Sequence, residues 1–168
     1  FPEGYPMEPP AWSGMPFEPP VVPAPEPPEP EPAPALNGET VRSVVVNDNS
    51  GNGAVNASRW SVESDLKVGD LVAGDRLTGS KVYKFVTIPE EVLGAEWIRS
   101  AVESRSASND DLLSFYTAAE VDVYVAHDSR ITTKPQWLSG EYEDTGLEIT
   151  DDQQVKLELY KKRNPAGS

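Results

Sequence analysis

The residues best suited to contact a ligand fall in one short stretch in the last third of the chain. His127, Arg130 and Lys134 supply hydrogen-bond donors, and Trp137 supplies a flat aromatic ring directly after a Pro-Gln pair. Sugars present apolar C–H faces together with many hydroxyls, so a sugar site needs a flat ring beside fixed polar groups. The stretch therefore predicts a carbohydrate-binding platform made of Trp137, Arg130, His127 and Lys134.

The same stretch also allows a purely structural interpretation. Asp128 and Arg130 are two residues apart and could form a local ion pair that braces a loop. Trp137 could then fill the hydrophobic core instead of facing a ligand, since tryptophan is highly buried on average. The sequence leaves both interpretations open.

Catalytic chemistry has few candidates in this chain. His127 is the only histidine and there is no cysteine, which excludes Cys nucleophiles and argues against zinc sites built from nitrogen and sulfur ligands. No G-x-S-x-G nucleophile motif is present,. Asp and Glu are abundant, so paired carboxylates for glycoside hydrolysis are not ruled out, but abundance alone is no signal. We expect a protein that is not an enzyme, with no cofactor.

A glycine-rich loop and a glycosylation sequon are further candidate sites. Asp48 to Gly53 places oxygen ligands at positions 1, 3 and 5 and glycine at 6, as a calcium loop does, but Arg59 stands where the twelfth-position Glu belongs,. A looser Ca²⁺ site stays open beside a plain Asn/Gly turn. Asn56-Ala57-Ser58 matches the N-x-S acceptor pattern,.

The segments that must position these residues alternate in the manner of β-strands. Six runs rich in valine, isoleucine and aromatic residues are separated by polar turns,. They are 41–46, 81–88, 96–102, 112–117, 121–126 and 155–160. In the part of the chain that carries these runs, residues 90–95 are the only stretch that could form a helical turn. The pattern predicts an all-β fold, an antiparallel β-sandwich of jelly-roll type.

The first 38 residues differ from the rest of the chain. Fourteen of the 17 prolines lie between Pro2 and Pro34, together with six glutamates and no basic residue. Residues 21–34 should form a stiff polyproline II spacer of about 3.1 Å per residue. We therefore expect a proline-rich acidic arm over 1–38 and a β-sandwich domain over 39–168.

The start of the arm carries aromatic side chains that a solvated spacer does not need. Phe1, Tyr5, Trp12 and Phe17 are interleaved with proline. One interpretation is a docking segment that buries these rings against this domain, a neighbouring copy or a partner. The other is the frayed end of a preceding domain. Alone in water, such a segment could not offset its ordering entropy.

The charge balance restricts the partners. Fourteen basic against 28 acidic residues give a net charge of −14, and such a field repels phosphate backbones and anionic lipid. No apolar run approaches the length of about 20 residues that spans a bilayer. We therefore expect neither nucleic-acid binding nor membrane insertion.

Several of these motifs together resemble a known kind of module. They are 60–62, 94–99, the tract V-Y-V-A-H-D-S-R at 123–130, P-Q-W-L at 135–138 and L-Y-K-K at 159–162. In this order they are similar to a non-catalytic β-sandwich module appended to secreted bacterial polysaccharide-degrading enzymes such as pectate lyases. The resemblance implies a secreted, extracellular or cell-surface accessory module that binds a polysaccharide or tethers an enzyme to one. It supplies no ligand residues.

A second hypothesis comes from the arm and from the end of the domain. The resemblance leads us to expect one more strand after Ser168, so either the sequence is clipped there or that edge is open for another chain. A structural subunit of an extracellular filament or surface assembly could dock its arm on a neighbouring subunit. The partners expected are therefore a polysaccharide or neighbouring protein subunits.

Overall fold

The computed structural model describes residue 20 and residues 36–74 and 82–168, and most of the ordered elements in these ranges are antiparallel strands. The elements, in chain order, are β1 Val41–Val46, α1 Gly53–Ala57, β2 Ser61–Glu63, β3 Phe85–Thr87, β4 Trp97–Arg99, a 3-10 helix Val102–Ser106, β5 Leu113–Thr117, β6 Val121–Asp128, α2 Gln136–Glu141, β7 Glu143–Asp151 and β8 Lys156–Asn164. The predicted all-β antiparallel fold is confirmed. Apart from residues 20 and 36–38, the predicted arm lies outside the described residues, and so do Phe1, Tyr5, Trp12 and Phe17. Within the described residues, no helix has the length and apolar character needed to cross a membrane.

The longest strands form a four-stranded sheet in the order β3-β7-β8-β6. β6 and β8 pair over eight consecutive positions, from Val121 opposite Asn164 to Asp128 opposite Leu157. β7 pairs with β8 on its other side, with an irregularity between Asp144 and Glu148. Two further antiparallel pairs, β1-β5 and β2-β4, complete the architecture.

Both faces of the four-stranded sheet are covered. Leu159 and Tyr160 are consecutive residues of β8, and they are only 1% and 3% exposed. Because successive side chains of a strand point to opposite faces, one face buries Leu159 and the other buries Tyr160. Leu159 belongs to the hydrophobic core, together with Leu66, Phe85, Val92 and Ile149. The connection between β6 and β7, which contains α2, contacts the Tyr160 face.

Trp97 of β4 joins the core to the β2-β4 pair. Its ring meets the ring of Phe85 edge-on, with centroids 5.6 Å apart. This contact sets a β2-β4 side chain against the inner face of the four-stranded sheet. Offset and edge-to-face aromatic pairs are favoured by the ring quadrupoles, so the contact fixes an orientation as well as burying area.

The strand predictions differ from the structure mainly in extent. The strand predicted over 41–46 has the predicted bounds, and those over 112–117, 121–126 and 155–160 are confirmed with small shifts at their ends. The strands predicted over 81–88 and 96–102 are shorter, at Phe85–Thr87 and Trp97–Arg99, and the second runs on into the 3-10 helix. The predicted turn at 90–95 forms as hydrogen-bonded turns in which Pro89 accepts from Val92 and Leu93.

Besides the 3-10 helix, the elements β2, α1, α2 and β7 were not predicted. β2 and the helices α1 and α2 are too short to show a periodic pattern. β7 is long, but Gly146 interrupts it with a φ of 70°, in the region that favours glycine,. Its alternation resumes only with Leu147 and Ile149, which face the core.

The carboxylate of Glu96 fixes the backbone that leads into β1. It accepts hydrogen bonds from three consecutive backbone N–H groups, those of Glu39 at 2.8 Å, Thr40 at 3.1 Å and Val41 at 2.6 Å. The chain folds back around these groups, since Val44 N–H donates to the Leu36 carbonyl. A side chain on Gly38 would collide with this carboxylate, which explains the glycine there.

These bonds determine the ionisation of Glu96. Burial raises the pKa of Glu96, but the hydrogen bonds from Val41, Thr40 and Glu39 outweigh it and hold the pKa below its usual value of 4.5,. A carboxylate with a lowered folded-state pKa contributes stability above its unfolded pKa. That contribution is lost as the pH falls through the folded-state pKa.

We predict that Glu96→Gln lowers the free energy of unfolding by about 2 kcal/mol at neutral pH, because charge-assisted hydrogen bonds are replaced by weaker ones and a partly buried N–H loses its acceptor,. The difference from wild type should shrink at acidic pH, below the lowered folded-state pKa, because the wild-type carboxylate is then protonated,. Urea unfolding at both pH values measures it. Glu91→Gln, at an exposed turn position, is the control. Equal losses for the two variants at neutral pH would contradict the prediction.

Candidate functional site

Helix α2 presents Trp137 to solvent. Pro135 precedes the helix, and its carbonyl accepts from the N–H groups of Leu138 at 3.0 Å and Ser139 at 3.2 Å. Leu138 is fully buried, at 0% exposure, whereas Trp137 is 43% exposed. Neighbouring helix positions point in different directions, so burying Leu138 turns Trp137 outward. The alternative interpretation in which Trp137 fills the core is therefore wrong.

An open cleft of about 550 Å³ lies beside the Trp137 ring. It is lined by one residue that precedes β5 and by α2 with the proline before it. The lining residues are Asp110, Pro135, Gln136, Trp137, Gly140 and Glu141. The cleft thus combines an aromatic ring with two carboxylates and an amide.

The Trp137 ring is braced from behind by Tyr142. The two rings meet edge-on, with centroids 5.8 Å apart. The ammonium of Lys162 lies 5.6 Å from the centre of the Tyr142 ring and donates to Glu141 at 2.6 Å. The hydrogen bond to Glu141 raises the pKa of Lys162, and burial raises the pKa of Tyr142. The edge contact with Tyr142 restricts the orientations open to the Trp137 ring,.

His127 and Lys134 both contact Tyr160. The His127 ring meets the Tyr160 ring edge-on with centroids 6.5 Å apart, and Lys134 Nζ lies 4.8 Å from the centre of that ring. Glu158 accepts from the Tyr160 hydroxyl at 3.0 Å and pairs with Lys134 at 3.4 Å. The hydrogen bond to Tyr160 raises the pKa of Lys134. His127 Nδ1 is buried and has no hydrogen-bond partner among the described residues.

Arg130 is held by Asp128 in a two-pronged ion pair. Arg130 Nε donates to Asp128 Oδ1 at 2.9 Å, and Nη2 donates to Oδ2 at 2.6 Å. The hydrogen bond from Arg130 holds the pKa of Asp128 below its usual value. This is the local ion pair that the structural interpretation of the sequence predicted.

Three of the four predicted ligand residues fall into two neighbouring groups, His127 with Lys134 and Trp137 with Tyr142, whereas Arg130 pairs with Asp128 and has no described contact with either group. Glu158, Tyr160 and Lys162 alternate along β8, so they share one face of the sheet,. Lys134 contacts the first two, and Tyr142 with its partner Trp137 contacts the third. Successive residues on one face lie about 7 Å apart, which makes the two groups neighbours. Whether they share one ligand stays a prediction.

The polar groups that line the Trp137 cleft were not predicted. Asp110 belongs to the polar turn before β5, and Gln136 and Glu141 flank Trp137 on α2. No sequence pattern links Asp110 to α2, because 25 residues separate it from Pro135. The only local signal was the polar character of residues 136 and 141.

The Asp48 loop is fixed by internal hydrogen bonds. Burial raises the pKa of Asp48, but hydrogen bonds from Ser50, Ser104 and Asn56 outweigh it and lower the pKa. Across 36–74 and 82–168, no three Asp, Glu or His side chains gather closely enough to hold a metal ion. The loop continues into α1, where Asn56 is 3% exposed and donates to Ser50 Oγ at 3.0 Å. The sequon at Asn56 is therefore not accessible for glycosylation in the folded chain.

Known proteins offer a structural likeness only. No protein-family model matches the chain, and no curated protein matches it in sequence. A solved structure of a β-glucuronidase from glycoside hydrolase family 2 superimposes with a TM-score of 0.64 at 18% sequence identity. The match covers 78% of this chain and 12% of that enzyme's chain. The chain thus shares its fold with a small part of a carbohydrate-active enzyme, while the resemblance to modules of pectate lyases stays a prediction.

We predict that Trp137→Ala costs about 1 kcal/mol of unfolding free energy, because a half-exposed ring loses mainly one aromatic contact. Leu138→Ala should cost about 2–5 kcal/mol, since it leaves a cavity in a fully buried position. Urea unfolding of the two variants beside wild type measures both. A loss for Trp137→Ala as large as that for Leu138→Ala would contradict the orientation of α2.

Proposed function

We propose that this protein is a non-catalytic, extracellular carbohydrate-binding module. The observation that carries the proposal is the exposed Trp137 ring over a cleft lined by Asp110, Gln136 and Glu141. The shared fold with part of a glycoside hydrolase family 2 β-glucuronidase supports it. The activity of that enzyme is its own, and only the fold is common to the two chains.

The chemistry of the cleft suits a pyranose ring. The C–H face of a sugar packs on an indole ring, and such a contact buries apolar area at little entropic cost because the Tyr142 brace already orders the ring. Carboxylate and amide oxygens accept hydrogen bonds from sugar hydroxyls. Asp110, Gln136 and Glu141 provide such acceptors along the rim of the cleft.

The absence of catalysis is part of the proposal. A glycosidase holds its general acid in an apolar pocket so that it stays protonated. Asp110 and Glu141 are both exposed to solvent, which favours binding over hydrolysis. The single histidine packs edge-on against Tyr160 on the sheet, where it has no serine or cysteine nucleophile among its described contacts.

We predict that wild-type protein is retained on at least one of pectin, xylan and cellulose, and that Trp137→Ala weakens retention about tenfold, the equivalent of about 1.4 kcal/mol. Affinity gel electrophoresis with each polymer measures it. Tyr116→Ala is the matched control, because Tyr116 is an exposed aromatic residue of β5 that does not line the cleft.

Two results would count against the carbohydrate proposal. One is the absence of retention on every polysaccharide. The other is equal retention of wild type and a folded Trp137→Ala protein. Loss of binding by Tyr116→Ala to the same extent would show that the effect is general rather than specific to the cleft.

A groove beside β5 favours a second candidate function, assembly through the arm. The groove is lined by Leu113 and Phe115 of β5, by Val123 of β6, and by Tyr142 and Lys162. β5 pairs only with β1 in its sheet, so its other edge is open within the described residues, apart from Thr117, which bonds to residues 167 and 168. An open edge beside apolar walls can accept an extended segment.

The occupant we propose is the aromatic arm of a second copy. The 35 residues before Leu36 span up to about 120 Å when extended, which is enough to reach a neighbouring domain. Phe1, Tyr5, Trp12 and Phe17 would pack on the apolar walls. A contact between different surfaces of two copies need not close into a ring and can build a filament.

For this second function we predict that the full chain grows in mass with concentration and that a variant lacking residues 1–36 stays monomeric. Sedimentation velocity over a wide concentration range tests both. Adding a synthetic peptide of residues 1–20 should reduce the growth of the full chain. A full chain that stays monomeric at every concentration would eliminate assembly and leave the carbohydrate function untouched.

A further inference from the structure

Among the described residues, the Trp137 cleft is lined by acidic groups and by no basic ones. Of its six described lining residues, Asp110 and Glu141 carry carboxylates and none is lysine or arginine. A polysaccharide built from uronic acids carries a carboxylate on each sugar, and such a ligand needs a cation or a guanidinium fork close to each bound ring. The cleft offers the opposite charge.

Lys162, the basic residue beside the cleft, is already engaged. Its ammonium donates to Glu141 at 2.6 Å and lies over the Tyr142 ring. Moving it towards a uronate would uncover the Glu141 carboxylate, which itself lines the cleft. The attraction between Lys162 and the uronate would therefore be offset by repulsion between the uronate and the Glu141 carboxylate in the same cleft.

The other basic residues between Val121 and Ser168 are also paired with carboxylates. From Val121 to Ser168 there are six lysines and arginines, and each has a carboxylate within ion-pair distance. They are Arg130, Lys134, Lys156, Lys161, Lys162 and Arg163. Such surface pairs add little to stability. In each of them, however, the carboxylate of the protein competes with the carboxylate of a uronate for the same cation.

The field of the whole molecule adds to this local pattern. The net charge of −14 repels a polyanion at long range, and the repulsion extends over about 30 Å at low ionic strength. By contrast, a neutral sugar is unaffected by the field and gains from the acceptors, because its hydroxyls donate to Asp110, Gln136 and Glu141.

We infer that the Trp137 cleft selects neutral polysaccharides and rejects polyuronates such as polygalacturonate and alginate. This inference rests on the proposed function and specifies its ligand class. It also separates this chain from what an accessory module of a pectate lyase would bind if it targeted that enzyme's acidic substrate.

The test compares two neutral polymers, galactomannan and hydroxyethyl cellulose, with two polyuronates, polygalacturonate and alginate, by affinity gel electrophoresis. EDTA is present throughout, so that no calcium ion bridges two carboxylates. Each polymer is run at about 20 mM and about 500 mM salt, which shortens the range of electrostatic repulsion from about 20 Å to about 4 Å. Wild type, Trp137→Ala, Asp110→Lys and Glu91→Lys are compared.

We expect wild type to be retarded by a neutral polymer equally at both salt concentrations and by neither polyuronate. Trp137→Ala should lose that retardation about tenfold. Asp110→Lys should gain retardation on polyuronates at low salt, because it replaces an acid of the cleft with a cation. Glu91→Lys makes the same change in net charge at an exposed position outside the cleft and should not gain it.

Results that differ from these expectations would contradict different parts of the inference. Trp137-dependent retardation of wild type by a polyuronate would overturn the ligand class and keep the carbohydrate function. Equal gains for Asp110→Lys and Glu91→Lys would overturn the role of the cleft acids in selection. Retardation by none of the four polymers, or retardation that Trp137→Ala does not change, would overturn the carbohydrate function and this inference with it.

Discussion

Two consecutive buried residues of β8 impose the layered form of this domain. Leu159 faces the hydrophobic core and Tyr160 faces the opposite side of the same sheet,. A sheet with one solvated face would leave Tyr160 in water, so the chain between β6 and β7 has to cover it. That cover carries Lys134, Trp137 and Tyr142, and His127 of β6 packs against Tyr160 on the sheet itself. The candidate site is thus a by-product of protecting the second face of a sheet.

The strands with uninterrupted alternation of apolar and polar residues could be predicted from the sequence. A strand in which a glycine or a bulge interrupts the alternation could not. The pattern V-D-V-Y-V predicts β6 because valine recurs at every second position from 121 to 125. β7 pairs on both sides and is central to the sheet, yet Gly146 and its acidic neighbours resemble a loop. Alternation of apolar and polar residues reveals a strand only while every second side chain stays on the same face of the sheet. A bulge shifts the following side chains to the other face and so interrupts the pattern. Tertiary pairing with β8 then restores the strand.

For the site, residue types were informative and positions were not. Trp137 was predicted to carry a platform, and the structure exposes its ring as that function requires. Its neighbours in space could not be read from the chain, because Asp110 reaches the cleft through the packing of the turn before β5 against α2. The choice between a buried and an exposed Trp137 depends on its neighbour Leu138. Either residue could have been the buried one on hydrophobicity alone.

The turn held by Glu96 has a mechanical consequence. A force applied to the chain before residue 36 reaches the domain at residues 36–41. There the carboxylate of Glu96, the residue before β4, accepts hydrogen bonds from three successive N–H groups. A pull at that point loads these three bonds together with the β1-β5 ladder, whereas a strand with a free end would open one bond at a time. The first turn of the described domain therefore resists a force along the chain through several hydrogen bonds at once.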